Sequence, residues 1–177
     1  PLEPQELRKE LYKMKRRLIP YGLHIMDRKP SKEELLDYLL GVLRIDREYP
    51  SILRLLARKD GFDWEEIKDT KMADEIETKA KETIGEILDG KEPEWLPKEY
   101  GTLVRSIVDN IQKSKESESL LRALEGKYIF PARGGDPIRD PEVYPSGRAM
   151  YAFDPRLIPT VAAEARGRKA ADLLLSL

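Results

Sequence analysis

The stretch that decides the fold is GKYIFPARGGDPIRDPEVYPSGRAMYAFDPRLIPT, residues 126–160, because it interrupts a chain whose pattern is otherwise helical. It holds six of the 13 prolines, spaced too closely for any regular element longer than a few residues. Tyr128, Phe130 and Tyr144 supply apolar anchors that disordered linkers lack. We therefore predict one long ordered loop, stiffened by proline and rich in glycine.

Between residues 133 and 156 this loop carries eight charged side chains in three phrases that favour turns, GGDPIRDPE, YPSGR and FDP. An aspartate followed by proline favours turn initiation, and glycine suits the last position of a turn that begins at proline. The simplest interpretation is that the acids cap turns and the arginines pair with them. The functional interpretation is that the loop presents these groups to a ligand.

On both sides of the loop, apolar residues recur at helical spacing, and we predict a mainly α fold of about seven helices. Ser31 and Glu34 have the spacing of a capping box. A long helix is expected after Asp63, with Glu75–Lys79 and Glu77–Lys81 as ion pairs on its outer face.

The segment that leads into the loop is less regular. Residues 113–119 are predicted to be a polar loop, followed by a short helix over residues 120–124. Residues 127–130 are the best strand candidate, so a minor strand pair is expected. The predicted organisation is a helical domain at 1–126, an ordered motif loop at 127–160 and a terminal helix at 161–177.

Composition excludes several functions. The chain has 32 basic and 33 acidic residues, a net charge of -1, so no overall field attracts nucleic acid. It has no cysteine, which excludes disulfides and thiolate metal sites and favours a reducing cytoplasm. No apolar run approaches the roughly 18 residues that a membrane span needs. The chain opens without methionine and closes on a run of leucines, so we expect it to be a fragment of a larger protein.

The loop resembles the signature of the large subunit of cobalt and magnesium chelatases, the CobN / magnesium-chelatase H family. Members carry a pattern close to P-x-P-G-G-D-x-x-R-N-P-x-x-x-P-T-G-R-N, followed shortly by D-P. The residues that match are Gly134, Gly135, Asp136, Arg139, Pro141, Pro145, Gly147, Arg148, Asp154 and Pro155. Upstream, Gly22-Leu23-His24 and Tyr49-Pro50-Ser51 also resemble family phrases. Three positions depart from the pattern, with Asp140 and Ala149 in place of asparagine and Arg133 where proline or glycine is common.

The resemblance implies insertion of cobalt into a corrin precursor or of magnesium into protoporphyrin. ATP and its Mg would then be handled by separate AAA+ ATPase subunits, and no cofactor is expected in this chain, which has no Walker-type phosphate loop. The expected partners are the tetrapyrrole, the ATPase subunits and the rest of the same large subunit.

Metal insertion requires groups that hold the macrocycle and groups that remove its inner protons. For substrate binding we expect Arg139 and Arg148 as carboxylate clamps, with Gly134, Gly135, Gly147 and Tyr151 beside them. For proton removal or metal handling the candidates are Asp136, Glu142 and His24. His24 is the only histidine, and alone it has the spacing of no metal site.

Two other hypotheses stay open. In the first, the chain is a non-catalytic helical module whose loop docks a partner protein such as the ATPase ring, with an exposed Trp95 contributing. In the second, the loop only braces the helices, so that each arginine would pair with a nearby acid and no cleft would open.

Overall fold

The computed structural model describes residues 4–8, 11, 25–67, 69–152, 158–159 and 161–176, and within these ranges the chain is mainly helical. Residues 4–8 form a helical segment. The other helices are α1 (Lys32–Leu43), α2 (Ile52–Lys59), α3 (Thr70–Leu88), α4 (Lys98–Gln112), α5 (Glu116–Leu124) and α6 (Val161–Leu175). Two short 3-10 helices cover Trp64–Glu66 and Pro141–Val143, and strands β1 (Ala132–Arg133) and β2 (Ala149–Tyr151) form one parallel pair. The predicted fold class, including the minor strand pair, is confirmed.

Helices α1 to α4 build the hydrophobic core, because α3 packs against α1, α2 and α4. The largest fully buried side chains come from these helices: Tyr38, Leu39, Val42, Ile52, Leu53, Ile84, Tyr100 and Val104. The polar end of Tyr100 is satisfied by donating a hydrogen bond to the backbone oxygen of Pro50. Its ring packs on Tyr49, with 4.7 Å between ring centroids, and burial raises the pKa of both phenols.

Local signals set the helix starts that the sequence predicted best. The Ser31 side chain accepts a hydrogen bond from the Glu34 amide, and the Glu34 carboxylate accepts one from the Ser31 amide, as the predicted capping box requires. The expected long helix is wrong at its beginning. Asp63 caps only the 3-10 turn at Trp64–Glu66, and Asp69 caps α3.

Lys79 and Lys81, which were expected to pair with acids along the surface of α3, form their direct ion pairs with other elements. Lys79 pairs with Asp60 beyond the end of α2 at 2.6 Å, and Lys81 pairs with Asp37 of α1. Glu77 pairs with Arg44 at 2.5 Å. These contacts tie α3 to its neighbours, which pairs within one helix would not do.

The remaining elements lie outside this core. Helix α5 has no buried residue, and it begins at Glu116, so the predicted loop over residues 113–119 is wrong in its second half. The predicted terminal helix is present as α6, which is exposed along most of its length and touches the 3-10 turn through Lys169 and Glu65. Within the described ranges, no helix is both long and apolar enough to cross a membrane.

Candidate functional site

The two halves of the motif loop lie side by side because β1 and β2 pair in parallel. The Ala132 amide donates to the Arg148 oxygen at 2.7 Å, and the Gly134 amide donates to the Tyr151 oxygen at 2.8 Å. The GGD phrase is thus joined directly to the SGR phrase, although a segment rich in turns separates them along the chain. The strand predicted at 127–130 is wrong, because these residues belong to no strand. Tyr128 and Phe130 are exposed.

The helical core holds the loop by its backbone. The Tyr38 hydroxyl, on the buried face of α1, donates to the Pro137 oxygen at 2.8 Å. The Arg47 guanidinium donates to the backbone oxygens of Ile138 and Arg139, each at 3.1 Å. The Tyr144 ring meets the Tyr38 ring edge to face, with centroids 6.1 Å apart. The loop is therefore anchored along residues 137–144; Tyr144 is one of the predicted apolar anchors, whereas Tyr128 and Phe130 are exposed.

The two aspartates of GGDPIRDPE shape turns. The Asp136 carboxylate accepts from the Ile138 amide at 3.0 Å, and the Asp140 amide donates to the Asp136 backbone oxygen at 2.9 Å. The Asp140 carboxylate accepts from the Glu142 amide at 3.3 Å and so caps the 3-10 turn at Pro141–Val143. This much agrees with the simplest interpretation of the acids.

The structure describes three arginines of the loop, and their surroundings differ. Arg133 forms a 2.5 Å ion pair with Asp140, and both side chains are mostly covered. Arg139 lies 3.5 Å from Asp136, and 73% of its side chain is exposed. Among the residues that the structure describes, no carboxylate lies within ion-pair distance of the half-buried Arg148. Arg148 is therefore the guanidinium best placed to accept a carboxylate from outside the chain.

Two glycines of the motif stand where a side chain would collide with its surroundings. A Cβ atom at Gly134 would lie 3.1 Å from the Cβ atom of Ala149 on the neighbouring strand. Gly147 has a φ of +97°, and a Cβ atom there would lie 2.9 Å from the Lys115 oxygen and 3.0 Å from the Glu116 Cα. The second half of the motif therefore packs directly onto the start of α5.

Asp27, which follows Gly22-Leu23-His24 in the sequence, also contacts the start of α5. The Asp27 carboxylate accepts from the Glu116 amide at 2.7 Å and from the Ser117 amide at 3.0 Å, so it caps α5 from 89 residues away. The Glu116 carboxylate in turn accepts from the Asp27 amide at 2.9 Å. Hydrogen bonding by the Ser117 side chain first, and then by these two amides, lowers the pKa of Asp27.

Lys29 and Ser114 complete a junction between the segment at Asp27, the end of α4, the start of α5 and the loop at Ser146. The Lys29 ammonium donates to the backbone oxygens of Ile111 and Ser114 at the end of α4, and the Ser146 amide donates to the Ser114 hydroxyl at 2.9 Å. A crevice of about 20 Å³ remains between them, which has room for a water molecule but not for a macrocycle. His24, proposed from the sequence, lies outside the described residues.

Of the site residues proposed from the sequence, those that the structure describes fall into two groups. One group lies on or beside the strand pair: Gly134, Gly135, Gly147, Arg148 and Tyr151. The other lies on the exposed turns: Asp136, Arg139 and Glu142. Within the described part of the chain, no three acidic or histidine side chains gather closely enough to hold a metal ion.

Sequence reasoning missed the residues that position the loop. Tyr38 was indistinguishable from other residues of an apolar helix face, and Arg47 follows α1 in a segment without a motif. Asp27 carried no signal either, because the helix that it caps begins far along the chain. Trp95 is not exposed as the docking hypothesis required: it is half-buried against the core, with the Lys59 ammonium 4.5 Å from its ring centroid.

Comparison with known proteins gives a consistent family. A family model described as CobN/Magnesium Chelatase matches residues 3–177. The chain is 26% identical over 215 aligned residues to the magnesium-chelatase subunit ChlH, chloroplastic, of Oryza sativa subsp. indica, covering 94% of this chain and 16% of that protein. It is 26% identical over 193 residues to the aerobic cobaltochelatase subunit CobN of Pseudomonas aeruginosa, covering 87% of this chain and 15% of the relative.

Identity is higher over shorter stretches. It is 44% over 66 residues with the H-type subunit of the magnesium chelatase of Rhodobacter capsulatus, an alignment that covers 37% of this chain and 6% of that protein. The chain spans only about one sixth of the length of the first two relatives.

Proposed function

Because the chain belongs to the CobN/magnesium chelatase family, we propose that it forms part of a chelatase large subunit and that its motif loop binds the tetrapyrrole. The single observation that carries this proposal is the parallel pairing of β1 and β2. It brings together the backbone of Arg148, which directly precedes β2, and that of the GGD phrase, which directly follows β1; the Arg148 side chain has no carboxylate partner among the described residues. The three-part division of the chain stays a prediction.

Arg148 is proposed as the principal clamp for a peripheral carboxylate of the macrocycle. A guanidinium binds a carboxylate through two parallel hydrogen bonds, which orients as well as attracts it. Tyr151, 40% exposed, is the last residue of β2, and its ring is proposed to contact the flat apolar surface of the macrocycle. Gly134 and Gly147 let the loop backbone pack closely against Ala149 and the start of α5, which fixes the position of the backbone beside these side chains.

Arg139 and its neighbours are proposed as the second contact. Its ion pair with Asp136 is long and exposed, so an incoming carboxylate can replace it at little cost. One Asp136 carboxylate oxygen holds the turn, and the other, 3.5 Å from the Arg139 guanidinium, would become available for a proton or a metal once Arg139 binds the macrocycle. Glu142, with 85% of its side chain exposed, and His24 are the other proposed proton acceptors.

The metal, cobalt or magnesium, is a substrate in this proposal. The reaction would be that of a ligase forming nitrogen–metal bonds, in cobalamin or porphyrin biosynthesis and in a reducing compartment such as the cytoplasm. ATP and Mg would act on separate AAA+ ATPase subunits, and the remainder of the large subunit would complete the cavity.

The test is a titration of the 177-residue chain with protoporphyrin IX and with hydrogenobyrinic acid a,c-diamide, followed by absorbance of the macrocycle. We expect saturable binding that Arg148→Ala weakens about tenfold, the value of one charge-assisted contact of about 1.4 kcal/mol. Protoporphyrin IX dimethyl ester, whose carboxylates are masked, should bind the wild-type chain and Arg148→Ala equally. Arg168→Ala on α6 is the matched control, because it removes an exposed arginine outside the loop.

If the chain binds neither macrocycle, the proposal is contradicted. Equal losses for Arg148→Ala and Arg168→Ala would contradict the role given to Arg148.

A second candidate function is the docking of a partner subunit, favoured by the exposed apolar surface around α5. Leu120, Leu121 and Leu124 are at least 48% exposed, and Tyr128 and Phe130 follow them. Capture of this chain by the ATPase subunits, lost in Leu121→Ser with macrocycle binding intact, would support it.

A further inference from the structure

The two charged departures from the family pattern, Arg133 and Asp140, meet each other in the structure. The Arg133 Nη2 atom lies 2.5 Å from the Asp140 Oδ2 atom, with only 17% and 21% of the two side chains exposed. The Glu142 carboxylate is 3.8 Å from the same nitrogen, but it is almost fully solvated and its pair is therefore weak. Neither departure is isolated, because each supplies the partner that the other requires.

The pair closes a small loop. Arg133 ends β1, Asp140 caps the 3-10 turn, and residues 134–139 connect them. Within this loop the Asp136 carboxylate accepts a hydrogen bond from the Ile138 amide. The Arg47 guanidinium donates hydrogen bonds to the backbone oxygens of Ile138 and Arg139. The backbone at Ile138 and Arg139 is thus held by hydrogen bonds, while the Arg139 side chain remains exposed.

Each charge is costly without the other. An asparagine at position 140 could still cap the turn through its side-chain oxygen, but it would leave the mostly covered Arg133 guanidinium without an anion. An uncharged residue at position 133 would leave the Asp140 carboxylate with the Glu142 amide and no cation. A neutral pair at both positions removes both costs together.

We propose that Arg133 and Asp140 form a clasp that positions Arg139 for the tetrapyrrole carboxylate, and that the two residues act as a single unit. The inference rests on the proposed function in one respect only, the identity of the ligand that Arg139 meets. Arg133 and Asp140 are positioning residues and do not touch the ligand.

The experiment is a cycle of Arg133→Gln, Asp140→Asn and the double variant in the 177-residue chain. Affinity for protoporphyrin IX should fall about tenfold in each single variant, as coupled neighbours typically show, and the double variant should bind no worse than either. In an Arg139→Gln background, Asp140→Asn should cause no further loss, which a purely structural role would not produce. Arg168→Gln and Glu164→Gln, an exposed pair on α6, provide the matched cycle and should be additive.

Amide hydrogen exchange separates the two proposals. The Ile138 amide should exchange faster in each single variant and recover in the double variant, whether or not a macrocycle binds. Coupled exchange without binding would retain the clasp and contradict the proposed function. Binding with additive losses, or with Ile138 exchange unchanged, would overturn the clasp.

Discussion

Replacement of Gly147 by alanine tests the packing of the motif loop more directly than any other change. Two costs follow from the structure. A non-glycine residue at φ +97° costs about 1–2 kcal/mol, and the new methyl group would lie 2.9 Å from the Lys115 oxygen and 3.0 Å from the Glu116 Cα. Both neighbours are backbone atoms that cannot rotate away, and such overpacking costs about 1–3 kcal/mol.

The sum is a loss of about 3 kcal/mol in the free energy of unfolding, which for a chain of this size lowers the Tm by about 6–12 °C. The assay is urea and thermal unfolding followed by circular dichroism. Two other glycines separate the two costs. Gly126 has a φ of +70° with open space around it, so Gly126→Ala should cost about 1 kcal/mol. Gly167 lies inside α6 with nothing nearby, so Gly167→Ala should stabilise by up to about 1 kcal/mol.

The result that would refute this reasoning is a Gly147→Ala variant with the same unfolding midpoint as Gly126→Ala. The close approach of Gly147 to the start of α5 would then contribute nothing to the free energy of unfolding. Any role of Gly147 would have to lie in ligand binding.

Three further predictions concern the anchors of the fold. Tyr38→Phe removes the hydrogen bond to the Pro137 oxygen and should cost about 1 kcal/mol in urea unfolding, whereas Tyr128→Phe, at an exposed ring, should cost nothing. Arg28 first, and then the Ser31 amide, lower the pKa of Glu34 from 4.5 to about 2. Its charge therefore stabilises the fold fully above pH 4.5, and this contribution should disappear as the pH falls toward 2. Unfolding midpoints of the wild type should converge with those of Glu34→Gln over that range. Asp27→Ala should lower the helical content and the Tm, an effect that Asp27→Asn should largely rescue because asparagine also caps helices.

Sequence reasoning succeeded where the structural signal is local. The capping box of Ser31 and Glu34, the apolar face of α4 and the proline spacing of the loop are each contained within a few residues. Such signals predicted the mainly α fold and the ordered loop.

It failed where the partner is distant in sequence. The start of α5 could not be predicted, because its preceding residue Lys115 offers no side-chain cap and Asp27 supplies one across 89 residues. The strand pair was misplaced, because β1 has only two residues and its partner lies later in the same loop. Lys79 and Lys81 of α3 form their direct ion pairs with acids on other elements, which the spacing along α3 could not reveal.

The candidate site shows the same division. The loop residues could be chosen from the motif, but their arrangement depends on Tyr38 and Arg47, which belong to no motif. The pairing of Arg133 with Asp140 required coordinates to be seen, since each residue alone was only a departure from a pattern.

The junction at Asp27 and Lys29 has a practical consequence for anyone who shortens this protein. Ser31 looks like a natural place to start, since the capping box begins there and the whole core of α1 to α4 follows it. A version that starts at Ser31 would nevertheless lose the cap of α5 and the cation that closes α4. The far end of the molecule, including the turn at Ser146 and Gly147, would then lose its support through a deletion at a remote point of the sequence.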